Sequence, residues 1–349
     1  MASKAMAIIV AAALLVAAAV LIIGTGHKQA AATSTISTSV QSIASTTVTT
    51  SIPAPQALKG VTLTPRSFNS TDFKAFFSTA SQAGGVISGG GSILTLNQSD
   101  SEPTVLMGLS GPYNYVPVIE VQVLNQTNGE LYRQLNASTV AMYDSTVLAF
   151  VSKYKPKYIA IGVEVNLLYE RSPQDFHNFT IFYNGLYGKI KNASPSTIVF
   201  TIFQLERMKG LNGGLFGGKN DTSNSEWQLL DGLSGDAVGF TTYPEFIYQN
   251  PNQIPSDYYS GIMAHTSKPI FLTEIGWSSA DVAAGWSSTP AEQAAFISRL
   301  SNMTSGGSIS MRIWSFAYDQ NVGEPFTNMG LLYSNGTAKP AWQSWVSMR

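Results

Sequence analysis

The chain has 349 residues, a formal net charge of -1, three histidines and no cysteine. That balance, with no basic run, argues against nucleic acid as a partner. The absence of cysteine excludes disulfides, thiol catalysis and thiolate metal sites; His27, His177 and His265 are scattered, so no metal or cofactor is expected.

In chain order, Lys4 precedes an uncharged apolar stretch from Met6 to Ile23. This is longer than a usual signal-peptide core and near the lower limit for a spanning helix. Residues 1–28 are expected to be a membrane anchor; Ala30-Ala31-Ala32 offers a cleavage site for the alternative, a removed signal segment. Residues 29–57 form a Ser/Thr/Pro-rich linker that cannot build a core and reads as an extended stalk. Asn-x-Ser/Thr sequons follow at Asn69, Asn97, Asn125, Asn136, Asn178, Asn192, Asn220, Asn302 and Asn335. Together these features predict a glycosylated, monomeric protein held at the cell surface, with secretion as the alternative.

From Leu58 onward short apolar runs alternate with helical patterns. The predicted strands are Gly60–Pro65, Val86–Ser88, Val116–Leu124, Tyr158–Asn166, Thr197–Gln204, Ala237–Pro244, Pro269–Glu274 and Ser310–Phe316. Helices are predicted from Thr71 to the glycine stop at Gly84-Gly85, over Asn136–Lys155, Pro173–Asn192, Ser256–His265, Pro290–Met303 with Thr289 as N-cap, and Pro340–Val346. Gly89-Gly90-Gly91 reads as a flexible loop. Eight strands alternating with helices in one run predict an α/β fold, a single (β/α)8 TIM barrel over residues 58–349. No Gly-x-Gly-x-x-Gly motif or Walker loop supports a nucleotide-binding alternative.

Runs buried on both faces end at the carboxyl edge of such a barrel, where its chemistry resides. Glu164 ends strand four and Glu274 ends strand seven, so the two carboxyl groups face each other across the mouth. That pair is what glycosidic-bond hydrolysis requires: one group protonates the leaving oxygen and the other attacks or activates water. Trp277, Trp286, Trp314, Tyr113, Tyr115 and Trp227 are candidate sugar platforms, or packing residues. Gln204 and Glu206 end strand five, where Glu206 either lines the site or pairs with Arg207 or Lys209 in solvent. Glu120 lies inside strand three as a buried carboxyl group, in either a raised-pKa or a hydrogen-bonded structural role.

Ile161-Gly162-Val163-Glu164-Val165-Asn166 resembles the strand-four segment of the clan A glycoside hydrolases, which carries the acid/base as Gly-Asn-Glu. Thr273-Glu274-Ile275-Gly276-Trp277 resembles the strand-seven nucleophile segment, in the style of families 53, 17 and 5. Gly239-Phe240-Thr241-Thr242-Tyr243-Pro244 is similar to the strand-six segment, and Ile313-Trp314-Ser315-Phe316 to the strand-eight segment. The resemblance implies a retaining glycosidase acting on a β-linked polysaccharide or glycan. It further implies Glu164 as acid/base, Glu274 as nucleophile, Tyr243 orienting Glu274, and Trp314 and Trp277 against the sugar. Val163 departs from the pattern: the asparagine that binds the sugar 2-hydroxyl is missing, and Asn166 is the candidate substitute. The alternative is a weakened or inactive barrel that serves as a cell-surface glycan-binding protein.

Overall fold

The sheet begins and ends on the same strand. The computed structural model describes residues 57–307 and 309–348. Its strands are β1 (Leu58–Thr62), β2 (Gly85–Ser92), β3 (Val116–Gln122) and β4 (Tyr158–Ile161). The fifth, β5, has two segments, Ile198–Phe200 and Ile202–Gln204, and is followed by β6 (Val238–Thr242), β7 (Ile270–Ile275) and β8 (Ile309–Trp314). The first segment of β5 pairs with β4, the second with β6, and the remaining parallel pairs complete the circuit between them. Thr201 is where the strand changes partners: Ile202 N donates to Gly162 O at 3.1 Å and Gly239 N to Thr201 O at 2.9 Å. The chain is therefore a (β/α)8 barrel closed through one interrupted strand.

Caps explain the helix boundaries. Asn69 starts the helix Ser70–Ala83 and Gly84, at φ 138°, stops it; Asn136 starts Ala137–Tyr154 and Thr289 starts Pro290–Thr304. A helix at Glu102–Tyr113, capped by Ser101, escapes periodicity because it carries two glycines and Pro112. The expected helix at Ser256–His265 is reduced to a 3-10 segment, Ser260–Ala264. Only a short turn, Leu205–Met208, and 3-10 segments follow β5.

The glycine run is also not a loop. Gly89, Gly90 and Gly91 lie within β2 and pair with Ile119, Glu120 and Val121. A Cβ on Gly89 would stand 2.3 Å from Leu106 Cδ1 and 2.4 Å from Glu102 Oε1, and one on Gly91 would stand 3.1 Å from Pro103. The missing side chains let the start of the Glu102–Tyr113 helix sit directly on the strand.

Two apolar layers result. One lies between sheet and helices and contains Val61, Ile119, Ile159, Phe240, Leu272 and Trp314. The other fills the barrel: Val86, Val118, Tyr158, Phe200, Phe271, Met311 and Ile313 form its floor, with Phe271 edge-on to Phe200 at 5.2 Å. On the outside, Lys59 of β1 donates to the carbonyls of Trp345, Val346 and Met348 and so fastens the final helix, Pro340–Ser347, across the β1–β8 seam. Among the described residues no helix is long and apolar enough to cross a membrane. The expected anchor at residues 1–28 and the linker up to residue 56 lie outside the described residues.

Candidate active site

Side chains above the barrel floor change from apolar to polar at the carboxyl edge. Two local irregularities aim the carboxyl groups there. On β7, Leu272 pairs with Phe240 but Glu274 pairs with Thr241, leaving Thr273 as an extra residue. Strict alternation from inward-facing Phe271 would turn Glu274 outward. The bulge returns it to the interior beside Thr241. After β4, Gly162 has φ 86° and Glu164 φ 54°, a left-handed conformation uncommon for a residue with a side chain. Gly162 N to Val121 O (2.8 Å) and Val165 N to Ile202 O (3.0 Å) hold that turn in place.

Glu164 is 8% exposed and accepts from Thr241 Oγ1 at 2.7 Å and from Gln126 Nε2 at 3.2 Å. Gln122 donates to Gln126, and Tyr132 Oη donates to Gln122 at 3.2 Å, so the short hairpin after β3 lines this side. Glu274 is partly exposed and accepts from Tyr243 Oη at 2.6 Å; that hydroxyl also lies 2.9 Å from Ser315 Oγ. Burial, then the charge of Glu164, raises Glu274 to about 7, against the opposing hydrogen bond from Tyr243. Burial likewise raises Glu164. Glu120 is 5% exposed, and burial followed by the charges of Glu274, Glu102 and Glu164 holds it well above the usual carboxylate range.

Other sequence candidates are placed elsewhere. Trp277 is fully buried, stacked on Phe296 at 5.1 Å with its Nε1 donating to Ser288. Trp314 is equally buried, between Phe296 and Trp345, with its Nε1 donating to Met329 O at 2.7 Å. Neither offers a face to the mouth. Tyr113 stacks on Phe77, Tyr115 donates to Leu106 O, Trp227 stacks on His265, and Trp286 donates to Glu245 O. Asn166 is fully buried and ties the start of the helix Asn166–Arg171 to β5, accepting from Gln204 N at 2.9 Å and donating to Gln204 O and Glu226. Gln204 caps the following turn through Arg207 N and donates to Glu206 at 2.6 Å.

Glu206 is not in solvent. It is fully buried and accepts from Thr242 Oγ1, Tyr243 N, Tyr258 Oη and Gln204 Nε2, while Arg207 pairs with Glu170 at 2.5 Å instead. It thereby fixes the backbone of Tyr243. Thr241, Ser315, Gln126 and Tyr132 are site residues that sequence reasoning missed. Ser315 was recoverable, because it continues the inward parity of Met311 and Ile313. Among the described residues no group of acidic or histidine side chains is arranged to hold a metal ion.

No protein-family model and no curated protein matches the sequence. Solved structures with the same fold include a family 39 glycoside hydrolase from the gut symbiont Bacteroides cellulosilyticus (17% identity, TM-score 0.57), aligned over 83% of this chain and 62% of that one. An exo-β-1,4-mannosidase from an Opitutaceae bacterium aligns at 14% identity and TM-score 0.58, over 83% of this chain and 58% of that one. A psychrophilic family 10 endo-β-1,4-xylanase aligns at 13% identity and TM-score 0.56, over 84% of this chain and 97% of that one. The chain thus spans about three fifths of the first two proteins. What these likenesses establish is the (β/α)8 fold.

Proposed function

We propose that this chain is a retaining glycoside hydrolase acting on a β-linked polysaccharide or glycan. The observation that carries the reading is the Glu164–Glu274 pair. Two carboxyl groups, aimed inward by a strained turn and a bulge, meet at the edge of the barrel where such folds keep their chemistry, and the charge of Glu164 raises the proton affinity of Glu274. Glycoside hydrolase neighbours on the same fold support it.

Glu274 is the more exposed of the pair and accepts the hydroxyl hydrogen bond of Tyr243, which favours its carboxylate form, and it serves as nucleophile. Glu164, more deeply buried, serves as acid. Glu274 attacks the anomeric carbon while Glu164 protonates the departing oxygen. Glu164 then deprotonates the water that releases the sugar from the ester. The Thr241 hydroxyl and the Gln126 amide hold Glu164 in line. The uncharged stretch from Met6 to Ile23 supports an export route that places the barrel at the cell surface.

Glu274→Gln is expected to abolish turnover of aryl β-glycosides without loss of folding. Azide is expected to rescue Glu274→Gly with inversion at the anomeric carbon. Full activity in Glu274→Gln overturns the assignment. A second reading, glycan binding without hydrolysis, is favoured by one observation: Val163 is buried in the apolar barrel interior, so no side-chain donor meets a sugar 2-hydroxyl at that position. Saturable binding with no reducing-end release by the native chain would decide for it.

A further inference from the structure

One carboxyl group at the mouth has no task in that mechanism. Glu120 Oε1 is buried without a hydrogen-bond partner, and the residue as a whole is 5% exposed. Its neighbours in the sheet register are Gly90 on β2 and Ala160 on β4, so the space on either side of it is left open by small residues. It shares the interior with Val118 two residues earlier, and the charges of Glu274, Glu102 and Glu164 act on it.

Among the described residues the charges acting on Glu120 are all carboxylates, and Arg207 is the cation that acts on Glu164. Among the described strand residues, lysine and arginine occur only at Lys59 and Arg312, both outside the barrel: Lys59 holds the final helix and Arg312 donates to Thr304 O. Arg207, whose charge reaches Glu164, is committed to Glu170. A buried carboxyl group without a donor is costly to keep, and like charges sharing a site compound that cost.

We propose that Glu120 is a specificity residue for an amino sugar: the ring held between Glu164 and Glu274 carries a free ammonium group that donates to Glu120. The inference rests on the glycan-processing reading above and adds the class of sugar. A hydroxyl would satisfy the orphaned oxygen; an ammonium group would do so and also supply a positive charge that no strand residue brings to the interior. A uronic acid would bring a fourth carboxylate into the same space and is excluded.

The test compares methyl β-glycosides of one ring in three forms, neutral, 2-amino-2-deoxy and uronate, each in gluco, galacto and manno configuration. Binding to the full chain is followed by calorimetry and sugar release in the same samples. For the configuration accepted, the amino form is expected to bind about tenfold or more tighter than the neutral form, with the uronate weakest. Glu120→Gln is expected to remove that preference, and Glu120→Asp to retain part of it, with thermal melting reporting that both are folded. No ammonium preference in any configuration, or a preference that survives Glu120→Gln, overturns the inference. Amino-selective binding without release would instead overturn the hydrolase reading and leave this one standing. Release that ignores Glu120 would do the reverse.

Discussion

Tyr243 donates to Glu274 at 2.6 Å across a space that exists because residue 276 has no side chain. A Cβ on Gly276 would stand 2.6 Å from Met329 Sδ and 2.7 Å from Tyr243 Cε1. Tyr243 is confined on its other sides, stacked on Phe246 at 5.2 Å and met edge-on by Phe326. Gly276→Ala is therefore expected to push Tyr243 off Glu274. Tyr243→Phe removes the same bond without a clash. A hydrogen bond to a charged group is worth about 1.5–3 kcal/mol, so Tyr243→Phe should lower kcat/KM about 10- to 100-fold. Kinetics of the two variants on one aryl glycoside checks this, with Gly276→Ala losing at least as much.

The mutual charge of the carboxyl pair predicts the pH profile. Glu164 is a named cause of the raised Glu274 value, so Glu164→Gln should move the acidic limb of kcat/KM to lower pH. The profile is to be measured on a substrate whose leaving group needs no protonation. An unmoved limb would show that the two groups do not share a site.

Stability should depend on pH through the same residue. Glu274 sits at about 7 in the folded chain against 4.5 ordinarily, so the native state binds its proton more tightly than the unfolded state does. Its contribution is favourable at low pH and is lost as pH rises from about 4.5 to about 7. Glu274→Gln lacks that loss. It should be more stable than the native sequence by on the order of 2 kcal/mol at about pH 8 and equal to it at about pH 4. Denaturant titration at both values reads the difference.

Glu206 supports the site from beneath. Glu206→Gln turns one of four accepted hydrogen bonds into a clash of donors in a fully buried position. The expected loss is about 2–4 kcal/mol of stability. A fall in kcat larger than any rise in KM should accompany it, because the backbone of Tyr243 is what shifts. Glu206→Asp should recover part of both.

The strands were legible because each is a short run buried on both faces, and most helix starts because Asn69, Asn136 and Thr289 are strong N-caps. Position in the barrel identified Glu164 and Glu274, but not how they are aimed. Alternation from Phe271 points Glu274 away from the mouth, and only the extra residue Thr273 corrects it. Trp277 and Trp314 were attractive as sugar platforms for their size; parity alone puts Trp314, between inward-facing Ile313 and Ser315, on the outer face. The glycines of β2 read as a loop because their reason lies in Glu102, Pro103 and Leu106, which belong to a helix without clear periodicity. Glu206 depended on Thr242, Tyr243 and Tyr258, partners distant in the chain that no local pattern joins to it.

The clasp of Lys59 on the last turn carries a consequence for the order of events during synthesis. The first strand emerges early, yet its second neighbour in the ring is β8 and its lysine ligands are the carbonyls of residues 345, 346 and 348. Until β8 is made β1 has one free edge, and until the last turn is made Lys59 has none of these carbonyl acceptors. A chain cut short before Trp345 would keep the β1–β8 pairing that closes the ring but would leave Lys59 without these three acceptors. The final helix thus adds a side-chain clasp across a seam that backbone pairing has already closed.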